Sequence, residues 1–225
     1  MNKAKKAYDE IPYFSAAFSD CSPVRIEAVA KFLGLKVANL KDARVLELGS
    51  SYGGNILPFA ASHKEAKVVG IDISSHQVEE GNKIAKKMKL KNFTLLERDF
   101  LHMNEHDIKE LGEFDYIIAH GVFSWVPDFV KDAILRVVRE NLSQNGVAFI
   151  SYNTYPGWKI KDVVRDLMLL AAKDKDSTEE RLKAAKEALL VYKEVLLTKL
   201  GENYEDKIPA KLLLCLLYTS PSPRD

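Results

Sequence analysis

Residues 45–55 read VLELGSSYGGN, and this stretch decides the fold. The aliphatic run that ends at Leu48 is typical of a buried β-strand, and a glycine follows it at once. Gly49 directly after the strand allows a sharp turn beneath a ligand. Gly53, near the start of the next helix, allows the backbone to approach that ligand closely. The stretch therefore predicts a strand–turn–helix unit with a ligand at its turn.

A carboxylate follows at the spacing that a nucleoside site requires. Residues 67–72 read KVVGID, a second predicted strand that ends at Asp72. An acidic side chain about 20 residues past such a turn, at the tip of the neighbouring strand, suits the two hydroxyls of a ribose. Strand, turn, helix and acidic strand end occur here in the expected order, so we predict a nucleoside-binding α/β domain.

The rest of the chain alternates strand-like and helix-like segments, which is typical of a parallel sheet. A turn at Asn145 and Gly146 is expected to lead into the last strand. We predict an α/β fold, a Rossmann-like doubly wound parallel sheet with strand order 3-2-1-4-5 and C-terminal helices. The predicted strands cover residues 44–48, 67–72, 93–97, 114–119 and 147–152. The predicted helices begin near Gly54 and cover residues 75–88, 127–142, 159–173 and 177–200.

Four regions are predicted along the chain: a cap segment and helix over residues 1–40, a ligand-binding core over residues 41–158, a helical extension over residues 159–214, and a tail over residues 215–225. The tail reads CLLYTSPSPRD and resembles a translated sequencing adapter. We expect it to be non-native, the alternative being a natural Ser/Pro tail. In the first case the natural protein continues past Leu214, a final β-hairpin is missing through truncation, and turnover by this chain is an open question.

Composition narrows the class of protein. Hydrophobic residues make up 47% and charged residues 29% of the chain, and the formal net charge is +1. These values are typical of a globular protein and give no strong nucleic-acid signal. The sequence has no apolar run of the roughly 18 residues that a membrane span needs. Two cysteines, Cys21 and Cys215, form no disulfide framework and no metal site is expected. We expect a cytoplasmic protein, and its oligomeric state is left open.

An acidic residue inside the first strand indicates which nucleoside is bound. Dinucleotide sites usually read Gly-x-Gly-x-x-Gly, so that a pyrophosphate lies on bare helix-terminal amides. Here Glu47 lies beside the turn, where its charge would repel a pyrophosphate. It would attract a cationic amino group or a sulfonium by a few kcal/mol before solvent screening. This favours S-adenosylmethionine over NAD as the cofactor.

The Glu-Leu-Gly-x-x-x-Gly turn together with Asp72 resembles motifs I and II of class I S-adenosylmethionine-dependent methyltransferases. The departure is Ser51, where many members carry a middle glycine, and a small side chain is expected to be tolerated there. The resemblance implies that Asp72 binds the ribose and that Asp99 and Phe100 bind the adenine. The implied cofactor-binding residues are Glu47, Gly49, Ser51, Gly53, Asn55, Asp72, Ile73, Asp99, Phe100 and His120.

A narrower resemblance rests on four segments that occur together. They are residues 8–13 (YDEIPY), the glycine-rich turn, residues 118–126 (IAHGVFSWV) and residues 151–158 (SYNTYPGW). This set is similar to bacterial methyltransferases with a C-terminal methyltransferase regulatory domain, a group that includes rickettsial-type protein lysine methyltransferases. The likeness suggests a protein lysine as methyl acceptor. The alternatives are a small-molecule methyltransferase and a catalytically silent S-adenosylmethionine-binding or regulatory domain.

No catalytic base is assigned from the sequence, and three candidates are named. His120 follows the fourth strand and could accept a proton near neutral pH, or could merely form a local hydrogen bond. Tyr155 follows the fifth strand and, with Tyr152 and Trp158, could line a lysine channel or form a hydrophobic lid. Tyr13 precedes the first strand and could fold over the cofactor as part of a cap.

Overall fold

The computed structural model describes residues 15–200 as a sheet with helices on both faces, followed by two further helices. The sheet has five strands, all paired in parallel, in the order β3-β2-β1-β4-β5. The predicted α/β class and the predicted strand order are both confirmed. The strands are β1 Arg44–Leu48, β2 Lys67–Asp72, β3 Phe93–Glu97, β4 Phe114–Ala119 and β5 Leu142–Ile150.

Seven α-helices and two 3-10 helices lie in the described residues. The α-helices are α1 Pro23–Phe32, α2 Leu57–Ser62, α3 Ser75–Lys87, α4 Glu105–Leu111, α5 Asp128–Asn141, α6 Lys159–Ala172 and α7 Thr178–Leu200, and the 3-10 helices are Ser19–Cys21 and Phe123–Trp125. Helix α4 was not predicted, because it has seven residues and buries only Ile108. A capping box starts it: the Asn104 side chain accepts from the Asp107 backbone N–H, and the Asp107 carboxylate accepts from the Asn104 N–H.

Alternate residues of the strands enter two separate hydrophobic clusters, as expected for a parallel sheet that is covered on both faces. Val45 and Tyr116 belong to the cluster beneath α1, α2 and α3. Leu46 and Ile117 belong to the cluster beneath α4 and α5. The carboxyl ends of β1, β2 and β4 meet at one edge, where ligands of open α/β sheets bind.

Two predicted boundaries are wrong. Helix α2 begins at Leu57 and not near Gly54, because the chain first makes a tight turn in which the Gly53 N–H donates to Ser50 O at 2.7 Å. Strand β5 begins at Leu142, so Asn145 and Gly146 lie inside it and do not form a turn before it. Leu142 pairs with Phe114 of β4 and Val147 pairs with Tyr116, so β5 has more residues than β4 between these two pairs. The pairing of the two strands is irregular there.

The chain divides into two compact units after Tyr152. In the second unit α6 and α7 pack on each other through a small core. A capping box lies at the start of α7: the Ser177 hydroxyl accepts from Glu180 N at 3.2 Å, and the Ser177 N–H donates to Glu180 Oε2 at 3.3 Å. No strand follows β5 within residues 151–200, and no helix in the described part of the chain is long and apolar enough to cross a membrane. The buried apolar residues in the described part of the second unit are Val164, Met168, Ala172, Ala185 and Leu189.

Candidate functional site

The glycine-rich turn, residues 49–55, leaves β1 through three left-handed backbone positions. Gly49 and Gly53 have φ of +76°, and Ser51 has φ of +51°. The N–H groups of Gly49 and Ser50 both donate to Ile71 O, at 2.8 and 3.0 Å, which ties the turn to the end of β2. Left-handed φ is costly for residues with a Cβ. The backbone angle thus explains why a middle glycine is common where this chain has Ser51.

Packing against the protein's own side chains also requires glycine in this turn. A Cβ on Gly49 would overlap Val122 Cγ2, from the loop after β4. A Cβ on Gly53 would lie 2.5 Å from Phe93 Cζ. The sequence analysis explained Gly53 by the approach of a ligand. The structure adds close packing by Phe93 and Val122, which are distant in sequence and were not assigned to the site.

Asp72 joins the turn to the start of α3. Its Oδ2 accepts from the Ser51 N–H at 2.7 Å, and its Oδ1 accepts from the Ser74 N–H at 3.0 Å. The residue is buried at the tip of β2, and Ser74 is the N-cap of α3. Each carboxylate oxygen can accept more than one hydrogen bond. Asp72 therefore fixes the turn, and its carboxylate is of the chemical type that binds hydroxyl groups.

Glu47 is a carboxylate buried directly before the turn. It is only 3% exposed; its Oε1 accepts from Asn55 Nδ2 at 2.7 Å, while its Oε2 is buried without a hydrogen-bond partner. Burial raises the pKa of Glu47 to about 8, the hydrogen bond from Asn55 opposes this shift, and the charge of Asp72 adds to it. The hydroxyl of Ser50 is likewise buried without a partner. Such unpartnered oxygens fit a ligand that brings a cation or a donor.

The Asn55 side chain contacts the N-terminal segment, residues 15–21. Its Oδ1 accepts from the Phe18 N–H at 2.9 Å, and its Nδ2 lies 3.4 Å from Cys21 Sγ. Burial is the main cause that raises the pKa of the Cys21 thiol to about 11. A second bond joins the same segment to the turn, from the Gly54 N–H to Ser15 Oγ at 2.8 Å. The structure thus places Asn55 between Glu47 and residues 15–21, which are part of the predicted cap segment.

A cavity of about 300 Å³ opens beyond the ends of β2 and β3. Of the predicted cofactor residues, Ile73 and Asp99 line it, whereas Phe100 is packed in the core beneath α4 and α5. His102 Nδ1 lies 3.1 Å from Asp99 Oδ2. Asp107 was not predicted as a site residue, and the capping box of α4 was the sequence signal from which its position could have been predicted. The lining residues are Ile73, Glu97, Arg98, Asp99, His102, Met103 and Asp107.

The surface of α4 also carries three potential metal ligands. Ligand atoms of His106, Asp107 and Glu110 lie within 4.8 Å of one another. His106 and Glu110 are exposed, and Asp107 already serves the capping box. This arrangement is an ordinary polar helix surface.

The three catalytic candidates lie in different parts of the chain. The His120 ring packs 4.6 Å from the Phe18 ring, centroid to centroid, and 6.3 Å from Phe149. Tyr155 belongs to the second unit, is 68% exposed and donates from its hydroxyl to Asp162 Oδ2 at 3.0 Å. Tyr13 lies outside the described residues.

Comparison with known proteins decides the family. Residues 39–203 match the family described as "Methyltransferase domain". The chain belongs to this methyltransferase domain family. Among solved structures, the methyltransferase domain is similar to PKMT2 from Rickettsia typhi in complex with AdoHcy, at 33% identity and a TM-score of 0.72. That match covers 90% of this chain and 38% of PKMT2.

Two uncharacterised proteins of Rickettsia prowazekii are also similar to this methyltransferase domain. One is 40% identical over 176 residues, which is 78% of this chain and 31% of that protein. The other is 37% identical over 182 residues, which is 81% of this chain and 71% of that protein. The methyltransferase domain thus spans about a third of the length of the first of these relatives.

The methyltransferase domain brings several predicted site residues to one edge of its sheet. Glu47, the glycine-rich turn and Asp72 are joined by short contacts, and His120 is linked to them through Phe18 and Asn55. The cavity at Asp99 begins one residue after Asp72, at Ile73. A cationic nucleoside fits this set, because it includes a buried carboxylate oxygen without a donor, a second carboxylate at the tip of β2 and an adjoining cavity.

Proposed function

We propose that this methyltransferase domain binds S-adenosylmethionine at the glycine-rich turn and transfers the methyl group to lysine side chains of proteins. The observation that carries the cofactor assignment is the buried, unpartnered Oε2 of Glu47 beneath the turn. Similarity to PKMT2, a protein seen with AdoHcy, supports the same cofactor. The lysine acceptor is supported by that similarity and by the resemblance to rickettsial-type enzymes.

Each part of the cofactor is assigned to residues of one compact unit. Glu47 faces the cationic amino group of the methionine part, and the backbone of the glycine-rich turn follows its carbon chain. Asp72 accepts the ribose hydroxyls through the same carboxylate that accepts from the Ser51 and Ser74 N–H groups. The cavity lined by Ile73 and Asp99 receives the adenine. Ser51, Gly53, Asn55, Phe100 and His120 complete the proposed set through backbone or packing roles.

The protein has to provide alignment, exclusion of water and removal of a proton. S-adenosylmethionine, when bound, supplies a methyl group already activated on a sulfonium. Val122, from the loop after β4, packs against Gly49 and so helps to fix the turn that aligns the cofactor. A lysine must be neutral to act as nucleophile, and the His120 imidazole is the proposed acceptor of its proton. Tyr155 and Tyr13 are the other proposed candidates for this role.

Calorimetric titration with S-adenosylhomocysteine tests the cofactor assignment. The wild-type chain is expected to bind it, and Asp72→Ala is expected to lose at least about a hundredfold in affinity, since it removes both turn contacts and the ribose acceptor. The matched control is Asp42→Ala, an exposed carboxylate before the opposite end of β1. Absence of binding by the wild-type chain would overturn the proposal.

A labelling experiment tests the acceptor. The chain is incubated with methyl-tritiated S-adenosylmethionine and a dialysed bacterial extract, with Asp72→Ala as the inactive control. Label on protein, located on lysine by peptide mass spectrometry, is the expected result. Label confined to soluble small molecules would overturn the lysine acceptor and leave the cofactor assignment standing.

The extension over residues 159–214 is proposed to lead into a regulatory region. The foreign origin of residues 215–225, outside the described residues, stays a prediction.

A further inference from the structure

The contacts of Asn55 form a continuous path from the N-terminal segment to the buried carboxylate. Its Oδ1 accepts from the Phe18 N–H at 2.9 Å, and its Nδ2 donates to Glu47 Oε1 at 2.7 Å. Cys21, in the same segment, is fully buried against this amide. The Asn55 side chain thus links the N-terminal segment directly to the Glu47 carboxylate.

We propose that Asn55 is a positioning residue that couples docking of the N-terminal segment to recognition of the cofactor's ammonium group by Glu47. This inference rests on the proposed function and adds to it a route by which the segment controls affinity. Asn55 does not touch the reacting atoms. It acts through the orientation and charge of Glu47.

The chemistry of a primary amide explains the coupling. An amide has its acceptor on one atom and its donors on the other, so the partner of the oxygen fixes the direction of the NH₂ group. With Oδ1 held by the Phe18 N–H, Nδ2 faces Glu47. A hydrogen bond to the charged form of a carboxylate favours ionisation. Without the segment, the amide is free to rotate and Glu47 loses the donor that stabilises its negative charge.

The second contact of the segment strengthens this link. Ser15 Oγ accepts from the Gly54 N–H at 2.8 Å, and a Cβ on Gly54 would lie 2.6 Å from the same oxygen. The segment is thus fitted to the residue directly before Asn55. Docking of the segment and the direction of the Asn55 amide are consequently one event.

Other titratable groups surround Glu47. Asp72, at the end of β2, disfavours its ionisation by like charge, and Cys21 on the segment lies close enough for Glu47 to raise its pKa. His120, after β4, is one contact further away, against Phe18. From β4 the facing residue in register with Glu47 is Ile118, and from β2 it is Gly70, neither of which titrates. These neighbours are unchanged in the variants below, so differences between variants report on Asn55.

The first experiment measures the affinity for S-adenosylhomocysteine between about pH 6 and 9, which spans the pKa of Glu47 of about 8. Wild-type affinity is expected to rise with pH as Glu47 ionises. In Asn55→Ala this rise is expected to shift to higher pH. The affinity at neutral pH is expected to fall by at least about tenfold, which corresponds to a rise of one unit in the pKa of Glu47. The ionisation of the ligand itself is common to all variants. An Asn55→Ala profile that superimposes on that of the wild type overturns the proposal.

Two controls separate this role from a structural one. Adenosine lacks the ammonium group, so its affinity is expected to be the same in Asn55→Ala and in the wild type. Asn82→Ala removes an amide that also makes two short bonds, to Leu95 N and Leu95 O at 2.9 Å each, but lies away from Glu47. Its pH profile is expected to match the wild type. Equal losses for adenosine and S-adenosylhomocysteine in Asn55→Ala would show a structural role and overturn the proposal.

A second measurement tests coupling in the wild-type chain alone, so that it holds even where Asn55→Ala does not fold. Cys21 is buried and is alkylated only when the segment opens, and peptide mass spectrometry distinguishes it from Cys215. S-adenosylhomocysteine is expected to slow alkylation of Cys21 at least about tenfold at saturation. An unchanged rate with ligand bound overturns the coupling. Failure of the wild-type chain to bind any S-adenosylhomocysteine would instead refute the proposed function.

Discussion

At the scale of single residues, binding capacity and stability make opposite demands on Glu47. A buried carboxylate with one donor for two oxygens destabilises the fold whenever it is ionised. The same shortage of donors makes it a strong partner for a cation. Sites that bind a charged ligand commonly retain such locally unfavourable groups.

Glu47→Gln tests this opposition through the pH dependence of stability. The folded pKa of Glu47 is about 8, above the value of about 4.3 expected in the unfolded chain. Between these values the folded state holds a proton that the unfolded state has released, so wild-type stability falls as pH rises and levels off above about pH 8. The stability of Glu47→Gln relative to the wild type is therefore expected to increase across this window by a few kcal/mol. S-adenosylhomocysteine is expected to bind the variant more weakly.

Urea unfolding at several pH values makes the measurement. Glu113→Gln is the control, because Glu113 is exposed just before β4. Parallel stability–pH curves for Glu47→Gln and the wild type would contradict the prediction.

Gly49 gives a second prediction at this scale. Gly49→Ala places a Cβ at φ of +76° and against Val122, and we expect a loss of about 2–4 kcal/mol in the free energy of unfolding. Gly121→Ala is matched in backbone angle, at φ of +71°, but nothing lies within 4 Å of its Cβ, so it should cost only about 1 kcal/mol. A double-mutant cycle with Val122→Ala should recover about 1 kcal/mol or more. Strict additivity would refute the steric explanation.

At the scale of elements, the sequence predicts the strands and helices that have a repeated apolar pattern. It misses the elements that only a few residues define. The five strands were found because each contains a short run rich in aliphatic and aromatic residues. Helix α4 was missed because one buried residue, Ile108, gives no periodicity. The start of β5 was misplaced because Asn145 and Gly146 have the composition of a turn, whereas pairing with β4 keeps them in the sheet. Contacts such as Phe18 with Asn55 and Val122 with Gly49 could not be predicted, because they join segments far apart in the chain.

Helix α4 provides the prediction at this scale. Asn104→Ala removes the side-chain oxygen that accepts from the N–H groups of His106 and Asp107, at 2.8 and 3.0 Å. We expect thermal unfolding to show a loss of about 1 kcal/mol and α4 amides to exchange faster. Asn104→Asp retains an acceptor at the N-cap and should preserve most of the stability. Equal effects of the two substitutions would mean that the cap does not stabilise the helix.

At the scale of the whole molecule, the chain combines a large ligand-binding unit with a small helical one. The first unit, which ends at Tyr152, has a core on both faces of its sheet, whereas the described part of the second unit has five buried apolar residues. Stability scales with buried apolar area, so the two units are not expected to unfold as one. Family membership and sheet order could be predicted from the sequence because both follow from the glycine-rich turn and the strand pattern. The predicted boundary between the core and the helical extension, at residue 158, lies a few residues after the division at Tyr152.

Hydrogen exchange with and without S-adenosylhomocysteine tests this division together with the site. At a ligand concentration about a hundred times Kd, linkage stabilises the bound unit by about 2.7 kcal/mol. Amides of β1, β2 and the glycine-rich turn are expected to gain protection, because Asp72 and Ile71 tie them together. Amides of α7 should exchange at unchanged rates, since α7 belongs to the second compact unit. Protection that spreads equally into α7 would show that the ligand stabilises both units as one cooperative body. Protection confined to α7 would place the ligand away from the glycine-rich turn altogether.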